Sequence, residues 1–491
     1  MGIIKKQGIQ GSIILYIGVF IGFLTSSVFF PKILTKEEIG LIATLVSYST
    51  VFAQVSTLGF NSVIVRMFSY FRDQENKHNN FFFFVFWVII IGSLFSILLF
   101  FLFKKIIIKI NIDNSPLFVE YLYYLLPLIV FTLVFFILDT YYTVLFKTVR
   151  GIVLKEVLQR VLILLALYFY YIYLLNFRGF VIAYIIALSI PSLILIITLF
   201  VEGEIVIKPK LNFITKNLSR SMFSVGLFGV LTSIVGSANV QIDKAMASSM
   251  MSLDTTGIYA TVLIFPLLIK IPSRALLRIA SAIIAEAWKR DDLSEIKKVY
   301  HETSINQYIV GLLVFVGLWS NVDNIFRILP VGYEAGRYVI LFLGIAFTFE
   351  MATGASNNII ATSREYKYLT WFVAIMLVLV VISNLIFIPL YEISGVAIAS
   401  AITLILFTLM KIVFIYRKFK MQPFNIKFIY ISGIGGVAYL CSLLIPFLNN
   451  LVLDIIIRSG MISVVFLLLI ILSSVSKELN DKLIKIKNTF K

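Results

Sequence analysis

Three basic residues spaced four apart, Lys270, Arg274 and Arg278, interrupt an otherwise apolar stretch, LLIKIPSRALLRIASAIIAEAWKR at 267–290. On an α-helix they would share a sector of about 80° and climb about 12 Å. Each charge costs about 2.5–3.5 kcal/mol at the centre of a bilayer. Facing a water-filled cavity, the ladder would instead bind an anion, because arginine grips phosphate with parallel hydrogen bonds. Alternatively the helix ends near residue 276, and the arginines mark the cytoplasmic interface while Lys270 snorkels.

Two carboxylates, Asp139 and Glu350, lie deep within apolar segments. An ionisable residue inside a membrane is by default a candidate for a functional site, here coupling to a proton or a sodium ion. The structural alternative for each is a hydroxyl partner or an ion pair that packs helices together. Both interpretations stay open at the level of sequence.

A second group of polar residues is less strongly favoured as part of a functional site: Asp243, Lys244 and Asn357. Asp243 and Lys244 either cap the outer end of a helix or belong to the same cavity. Asn357 could line that cavity or bond across helices. The two histidines, His78 and His301, are far apart, so no metal site is expected, and no phosphate-binding loop or cofactor motif occurs.

The elements that must position these residues are membrane helices. The chain of 491 residues is 60% hydrophobic and only 14% charged, and its mean hydropathy is +1.00. Long apolar runs separated by short charged segments predict an all-α polytopic membrane protein. The net charge of +17 then records orientation in the membrane, so we expect no nucleic-acid partner. The aromatic runs FFFF at 81–84 and YFYYIY at 168–173 are interpreted as mostly lipid-facing bulk.

A window of about 20 residues predicts about fourteen transmembrane helices. Their approximate ranges are 12–30, 39–64, 81–103, 117–146, 152–174, 178–201, 221–247, 255–285, 303–326, 338–361, 368–390, 393–416, 428–447 and 451–475. With the amino terminus inside, inward segments hold 28 of the 42 Lys and Arg residues and outward connections hold 9. This asymmetry predicts that both termini are cytoplasmic.

A faint internal repeat divides the chain. GFLTS at 22–26 is matched by GVLTS at 229–233, and GLIAT at 40–44 by GIYAT at 257–261. We therefore predict an N-lobe at 1–210 with helices 1–6, a C-lobe at 211–416 with helices 7–12, and two further helices with a cytoplasmic tail at 417–491. Such parallel repeats are related by an axis along the membrane normal. Because the repeat places uncharged residues opposite the ladder, the basic track is one-sided.

Three stretches carry a resemblance to a known family: LTKEEIGLIATLVSYSTVFAQVSTLGFNSVIVR (34–66), LDTYYTVLFKTVRGIVLKEVLQRVLILL (138–165) and QIDKAMASSMMSLDTTGIYATVLIF (241–265). They resemble bacterial polysaccharide-biosynthesis flippases, the Wzx-like branch of the MOP exporter superfamily. The resemblance covers about residues 1–420. It implies a MATE-like fold of two six-helix lobes plus two helices, in the bacterial inner membrane, working by alternating access.

The same resemblance implies the cargo, which is an undecaprenyl-diphosphate-linked oligosaccharide flipped outward for O-antigen, capsule or exopolysaccharide. Membrane lipid, a coupling H+ or Na+ and a polysaccharide polymerase are the implied partners. The protein is then a transporter and not an enzyme. Two alternatives stay open, which are a cation-coupled multidrug or small-molecule antiporter of the same fold and a membrane glycan polymerase or ligase. No outward loop gathers candidate catalytic residues, which disfavours the polymerase.

Overall fold

A computed structural model of the chain describes residues 2–73, 75, 77–206, 215–234 and 238–473. Within these ranges the chain is helical and contains no β-strand. Ten described helical segments are long and apolar enough to cross a membrane, and one bent pair could add another. The protein is therefore a multi-pass helical membrane protein, as predicted. The predicted number of about fourteen helices stays a prediction.

The chain forms two compact units, the first of which is Met1–Thr261. We call it unit 1. A π-helical turn at Leu24–Phe29 joins its first two helices, and another at Val153–Leu158 joins its eighth and ninth. Its α-helices are α1 (Gly2–Phe23), α2 (Phe30–Ile33), α3 (Lys36–Ser56), α4 (Phe60–Phe71), α5 (Phe82–Asn111), α6 (Pro116–Glu120), α7 (Leu125–Val144), α8 (Thr148–Ile152), α9 (Gln159–Tyr171), α10 (Phe177–Val201), α11 (Lys216–Ile234), α12 (Ala238–Met250) and α13 (Leu253–Val262).

The second compact unit, unit 2, is Val262–Lys491. Its boundary with unit 1 falls inside the predicted eighth span, whereas the predicted lobes divide at residue 210. Compact packing and internal repetition are different criteria, so the lobe boundaries stay a prediction. The α-helices of unit 2 are α14 (Ile264–Leu267), α15 (Ile271–Lys289), α16 (Leu293–Ser320), α17 (Val322–Ile328), α18 (Arg337–Met351), α19 (Ser356–Thr362), α20 (Lys367–Phe419), α21 (Ile426–Leu443) and α22 (Leu451–Leu472).

The longest of these helices, α20, is a hairpin. It runs for 53 residues, and Glu392 within it has φ 48° and ψ −124°, which no α-helix accommodates. The hydroxyls of Ser383 and Thr403 lie 3.0 Å apart, although 20 residues of straight helix would separate them by about 30 Å. Hence α20 folds back at Glu392 into two antiparallel arms, which correspond to the predicted spans 368–390 and 393–416.

Local sequence signals explain where α3, the helix that contains the repeat element GLIAT at 40–44, begins. Thr35 is the N-cap of α3 and its hydroxyl accepts a hydrogen bond from the backbone N–H of Glu38 at 3.2 Å. The Glu38 carboxylate accepts the Thr35 N–H in return at 2.8 Å. This reciprocal capping box satisfies two backbone donors at the start of the helix.

The phenylalanine run at 81–84 is partly a core feature, and its interpretation as lipid-facing bulk is wrong for its first two residues. Phe81 and Phe82 are 0% and 5% exposed, and they pack with Phe68 and Tyr141 in unit 1. Offset and edge-to-face rings hold this cluster together; the Phe81 and Phe68 centroids are 5.4 Å apart at 80°. The aromatic packing fixes the C-terminal end of α4 against α5 and α7.

Candidate functional site

Lys270 lies in unit 2, in a 3₁₀ turn (Leu268–Lys270) directly before α15, and Pro272 occupies the first turn of that helix. Its ammonium lies 2.6 Å from a carboxylate oxygen of Glu350 on α18 and 5.1 Å from the ring centroid of Phe347. Lys270 therefore forms an ion pair with Glu350 and lies beside an aromatic ring.

Glu350 stands next to a break in its helix. Helices α18 and α19 are bent by 52° relative to each other, and Gly354 between them has φ 48°. A Cβ at Gly354 would also meet the backbone N and hydroxyl of Ser304, so only glycine fits this turn. The backbone N–H of Ala355 donates to the Thr303 hydroxyl at 3.2 Å. Discontinuous helices of this kind commonly form binding sites in transporters.

A third charged residue, Lys411, completes a partly buried cluster that we call the triad: Lys270, Glu350 and Lys411. Lys411 lies on the second arm of α20 and is 2% exposed. It is close enough to Glu350 and Lys270 to interact electrostatically with both, and its ammonium lies 4.5 Å from the Phe407 ring centroid. One carboxylate thus serves two cations, and the triad carries one net positive charge.

The two arginines of the predicted ladder are separated from the triad. Arg274 and Arg278 lie on the exposed face of α15, whereas the opposite face buries Ala280, Ile284 and Ala287. Among the residues that the structure describes, neither arginine forms an ion pair. The predicted ladder is therefore divided into one lysine that is neutralised and two arginines that remain available to an anion.

Asn357 is exposed on α19. The next residue, Asn358, donates its amide hydrogen to the Leu277 carbonyl oxygen at 3.2 Å, which ties α19 to α15 between the two arginines and the buried face. The helix-bonding role considered for Asn357 thus falls to its neighbour Asn358. A cavity-lining role for Asn357 stays a prediction.

Asp139 lies in unit 1, near the end of α7. It is half-buried, and a Cβ at Gly151 of α8 would collide with its carboxylate, so the carboxylate rests directly on that glycine. Lys155 acts electrostatically on Asp139 and stacks over the Phe135 ring with its ammonium 5.2 Å from the centroid. Asp139 is thus held at a helix junction beside one cation.

Asp243 and Lys244 also lie in unit 1, in the middle of α12. Asp243 is 1% exposed, and it acts electrostatically on Lys244. Because α12 continues to Met250, these residues do not cap its end, and the capping alternative is wrong. Nearby, the Ser47 hydroxyl of α3 donates to the Gln241 side-chain oxygen at 2.9 Å, which joins α12 to α3.

Two features of the charge pattern were missed. Lys411 lies within the predicted span 393–416, but nothing in a sequence pairs it with residues on two other helices. The Glu156–Arg160 ion pair, 2.5 Å long, has the spacing of four that stabilises a helix, so this signal was available. Gly18 and Gly22 of α1 lie against these two side chains, where a Cβ would collide with them.

The described helices define a polytopic helical membrane protein with broken segments and charged clusters within its spans. A model of the polysaccharide biosynthesis protein family matches residues 9–284, more than half of the chain. The chain belongs to the polysaccharide biosynthesis protein family. A comparison with curated protein sequences finds no match.

Several solved structures of transporters share the fold of this chain. The lipid II flippase MurJ, in an inward closed conformation, is similar with a TM-score of 0.74 at 16% identity, covering 94% of this chain and 98% of that chain. A multidrug resistance MATE family transporter in an inward-facing conformation has a TM-score of 0.61 at 13% identity, covering 82% and 93%. A MOP superfamily transporter from Pyrococcus furiosus has a TM-score of 0.54 at 15% identity, covering 84% and 94%. These similarities show the fold that the resemblance implied.

Proposed function

We propose that this protein flips an undecaprenyl-diphosphate-linked oligosaccharide from the cytoplasmic to the outer leaflet by alternating access. Membership of the polysaccharide biosynthesis family supports a carbohydrate cargo, and the fold shared with a lipid II flippase supports a lipid-linked one. The products served would be surface polysaccharides such as O-antigen, capsule or exopolysaccharide, made with a polymerase partner.

The observation that carries this proposal is the state of Arg274 and Arg278. Both are exposed on one face of α15, and no described carboxylate pairs with them. A diphosphate is a dense anion whose oxygens match the forked donors of a guanidinium. Two such groups four residues apart provide adjacent contacts for the two phosphates, while the polyprenyl tail remains in the bilayer.

The membrane potential favours the proposed direction of transport. Moving one negative charge outward against an inside-negative potential of 100 mV is favourable by about 2.3 kcal/mol. This driving force acts on the diphosphate without a coupling ion. A multidrug antiporter would instead handle cationic cargo, for which a face bearing two unpaired arginines is unfavourable.

Coupling to H+ or Na+ would use the internal carboxylates. Glu350 is engaged by Lys270 and lies within the electrostatic reach of Lys411, so a cation that enters the triad must compete with an ammonium. Among the described residues, Asp139 has Lys155 as its one electrostatic partner and forms no ion pair. We therefore assign the first coupling candidate to Asp139 and a conformational role to the triad, with Asp243, Lys244 and Asn357 as lesser candidates.

Charge reversal tests the proposed function. Arg274→Glu and Arg278→Glu, singly and together, are expressed in the native host and checked for membrane insertion. We expect surface polysaccharide to be lost and lipid-linked oligosaccharide to accumulate on the cytoplasmic side. Lys289→Glu is the matched control, because Lys289 is exposed at the end of the same helix. Normal export by the double variant would refute the assignment of these arginines to the diphosphate.

A further inference from the structure

A charged cavity lies inside unit 1, far along the chain from the arginines of α15. It measures about 370 Å³ and forms where the end of α4, the junction of α7 and α8, and the end of α10 meet. Its size falls within the range of about 300–1,000 Å³ typical of ligand pockets. The predicted topology places all three lining segments on the cytoplasmic side. The proposed transport of a diphosphate uses none of these residues.

Two cations that line this cavity stand outside its ion pairs. Glu202 is shared by Lys147, at 2.8 Å, and by Arg150, so this carboxylate is fully engaged. Arg72 donates to the Val144 carbonyl oxygen at 2.7 Å, and Lys77 donates to the Gly203 carbonyl oxygen at 3.0 Å. In the described part of the chain neither Arg72 nor Lys77 forms an ion pair. Each retains donor hydrogens for an anion.

Two aromatic rings orient the guanidinium of Arg72. The guanidinium of Arg72 lies 4.3 Å from the ring centroid of Phe146 and 5.4 Å from that of Phe68. His78, which is buried, packs on Phe68 with centroids 5.1 Å apart. Stacking holds the guanidinium plane in one orientation, which reduces the entropy that Arg72 loses when it binds a phosphate.

The backbone around the cavity is strained. Four consecutive non-glycine residues, Lys77 to Asn80, have φ between 47° and 60°, and Phe146 across the cavity has φ 60°. L-residues avoid this left-handed region, and such strained positions concentrate at ligand sites and switches. Three of these five strained residues, Lys77, His78 and Phe146, line the cavity.

We infer that this cavity binds a small phosphorylated anion. Arg72 and Lys77 donate hydrogen bonds to its phosphate, and Phe146 and Phe68 form walls of the cavity. Glu204 lies free of ion pairs in the described residues at the same cavity and can accept hydrogen bonds from hydroxyl groups carried by that anion. The phosphate group is common to cytoplasmic sugar phosphates and to anionic lipid headgroups, and the experiment separates these two sources.

Calorimetric titration of the full-length protein in neutral detergent with inorganic pyrophosphate tests the inference. In the Arg274→Glu, Arg278→Glu background, which removes the proposed diphosphate site of α15, we expect binding that weakens with added salt, a loss of at least tenfold in affinity for Arg72→Gln and for Lys77→Gln, and no detectable binding by the double variant. Arg327→Gln is the matched control, because Arg327 also stacks on a ring, Phe447 at 4.9 Å, and also donates to carbonyl oxygens. It should bind pyrophosphate like the background protein.

Absence of pyrophosphate binding by the folded background protein, or equal affinity of the background protein and the double variant, would overturn the inference. Arg72 joins two segments through its hydrogen bond to Val144, so its replacement could destabilise the fold, and thermal unfolding is measured on every variant. The Lys77 side chain is exposed. Lys77→Gln therefore tests the inference even if Arg72→Gln does not fold. The Arg274→Glu and Arg278→Glu variants should retain pyrophosphate affinity, so this cavity and the proposed diphosphate site of α15 succeed or fail separately.

The source of the phosphate is settled in nanodiscs. The pyrophosphate titration is repeated in discs of phosphatidylcholine alone and in discs that also contain phosphatidylglycerol. If a lipid headgroup occupies the cavity, phosphatidylglycerol will weaken pyrophosphate binding to the background protein and to Arg327→Gln alike. If the ligand is a soluble sugar phosphate, glucose 1-phosphate will displace pyrophosphate in both kinds of disc and phosphatidylglycerol will have no effect.

Discussion

Gly40 of α3 and Gly257 of α13 contact each other's helix reciprocally. A Cβ on Gly40 would collide with the backbone carbonyl of Leu253, and a Cβ on Gly257 would collide with that of Lys36. Each glycine thus meets the residue four positions before the other. Exchange of the two helices reproduces the same contact, which is the signature of a two-fold relationship.

The two glycines are also the residues that the sequence repeat aligns, in GLIAT at 40–44 and GIYAT at 257–261. Equivalent residues touch one another only where they lie on the symmetry axis that relates them. The reciprocal contact therefore supports the internal repeat independently of the sequence match. It also explains the choice of residue, because glycine lets helix backbones approach closely without a hydrophobic driving force in lipid.

Alanine at either glycine is expected to destabilise unit 1. Gly40→Ala and Gly257→Ala each place a methyl group against a backbone carbonyl that cannot move independently of its helix, and overpacking of this kind costs about 1–3 kcal/mol. The measurement is the temperature of unfolding of the purified protein in detergent.

Gly433→Ala is the control for these two variants. Gly433 lies within α21, and a Cβ there would meet no atom within 4 Å. Alanine is also the better helix former by about 1 kcal/mol, so this variant should be as stable as the wild type or slightly more stable. Equal unfolding temperatures for Gly40→Ala, Gly257→Ala and Gly433→Ala would contradict the close contact.

The sequence was sufficient for the class of fold and for part of the site. Apolar run length predicted the membrane helices, and the spacing of four correctly placed Arg274 and Arg278 on one exposed face of α15. It did not reveal that Lys270 pairs with Glu350, because that partner lies on a different helix and single-sequence periodicity shows nothing beyond its own helix.

The sequence also could not show which residues distant along the chain pair with one another. Glu350, Lys270 and Lys411 come from three elements separated by whole helices, and only the folded chain brings them together. The Phe81–Phe82 pair was similarly ambiguous, since an aromatic run in a membrane helix suits both lipid and a protein core. For the triad and for the Phe81–Phe82 pair alike, the residue types fitted either interpretation, and only the contacts in the folded chain distinguished them.

The triad predicts a specific pattern of stability. Glu350→Gln leaves Lys270 and buried Lys411 without a carboxylate, and we expect the protein to lose about 1–3 kcal/mol, the cost of an unsatisfied buried group. Glu350→Gln combined with Lys411→Met removes the more deeply buried of the two cations and should recover part of that loss. A double variant that unfolds at a lower temperature than Glu350→Gln would show that Glu350 does not neutralise Lys411.

The hairpin of α20 predicts a crosslink. In a Cys441→Ser background, which removes the single native cysteine, Ser383→Cys and Thr403→Cys should form an intramolecular disulfide under mild oxidation, because their side chains meet at 3.0 Å. The disulfide is detected by the change in gel mobility on reduction. Ser383→Cys with Ile402→Cys is the control, since Ile402 is exposed. Equal crosslinking of the two pairs would argue against fixed packing of the two arms.

The ion pairs of Glu202 predict a pH dependence at the end of α10. Burial opposes ionisation of this carboxyl, but hydrogen bonds from Lys147 and Arg150 outweigh it and hold the pKa of Glu202 below its ordinary value of 4.5. A lowered pKa in the folded state means that the ionised form stabilises the fold. That stabilisation is complete above the pKa of the unfolded chain and is lost as the pH falls through the folded value.

Glu202→Gln should therefore be less stable than the wild type at pH 7, by about 1 kcal/mol because the pairs are partly exposed. The difference should disappear as the pH falls below 4.5, the ordinary pKa of the group, since the wild-type carboxyl then becomes neutral as well. Thermal unfolding in detergent across this range measures it. Glu302→Gln, at an exposed residue outside the ion pairs of the described chain, should match the wild type throughout. A gap between Glu202→Gln and the wild type that persists unchanged in acid would mean that packing of the side chain, and not its charge, stabilises this junction.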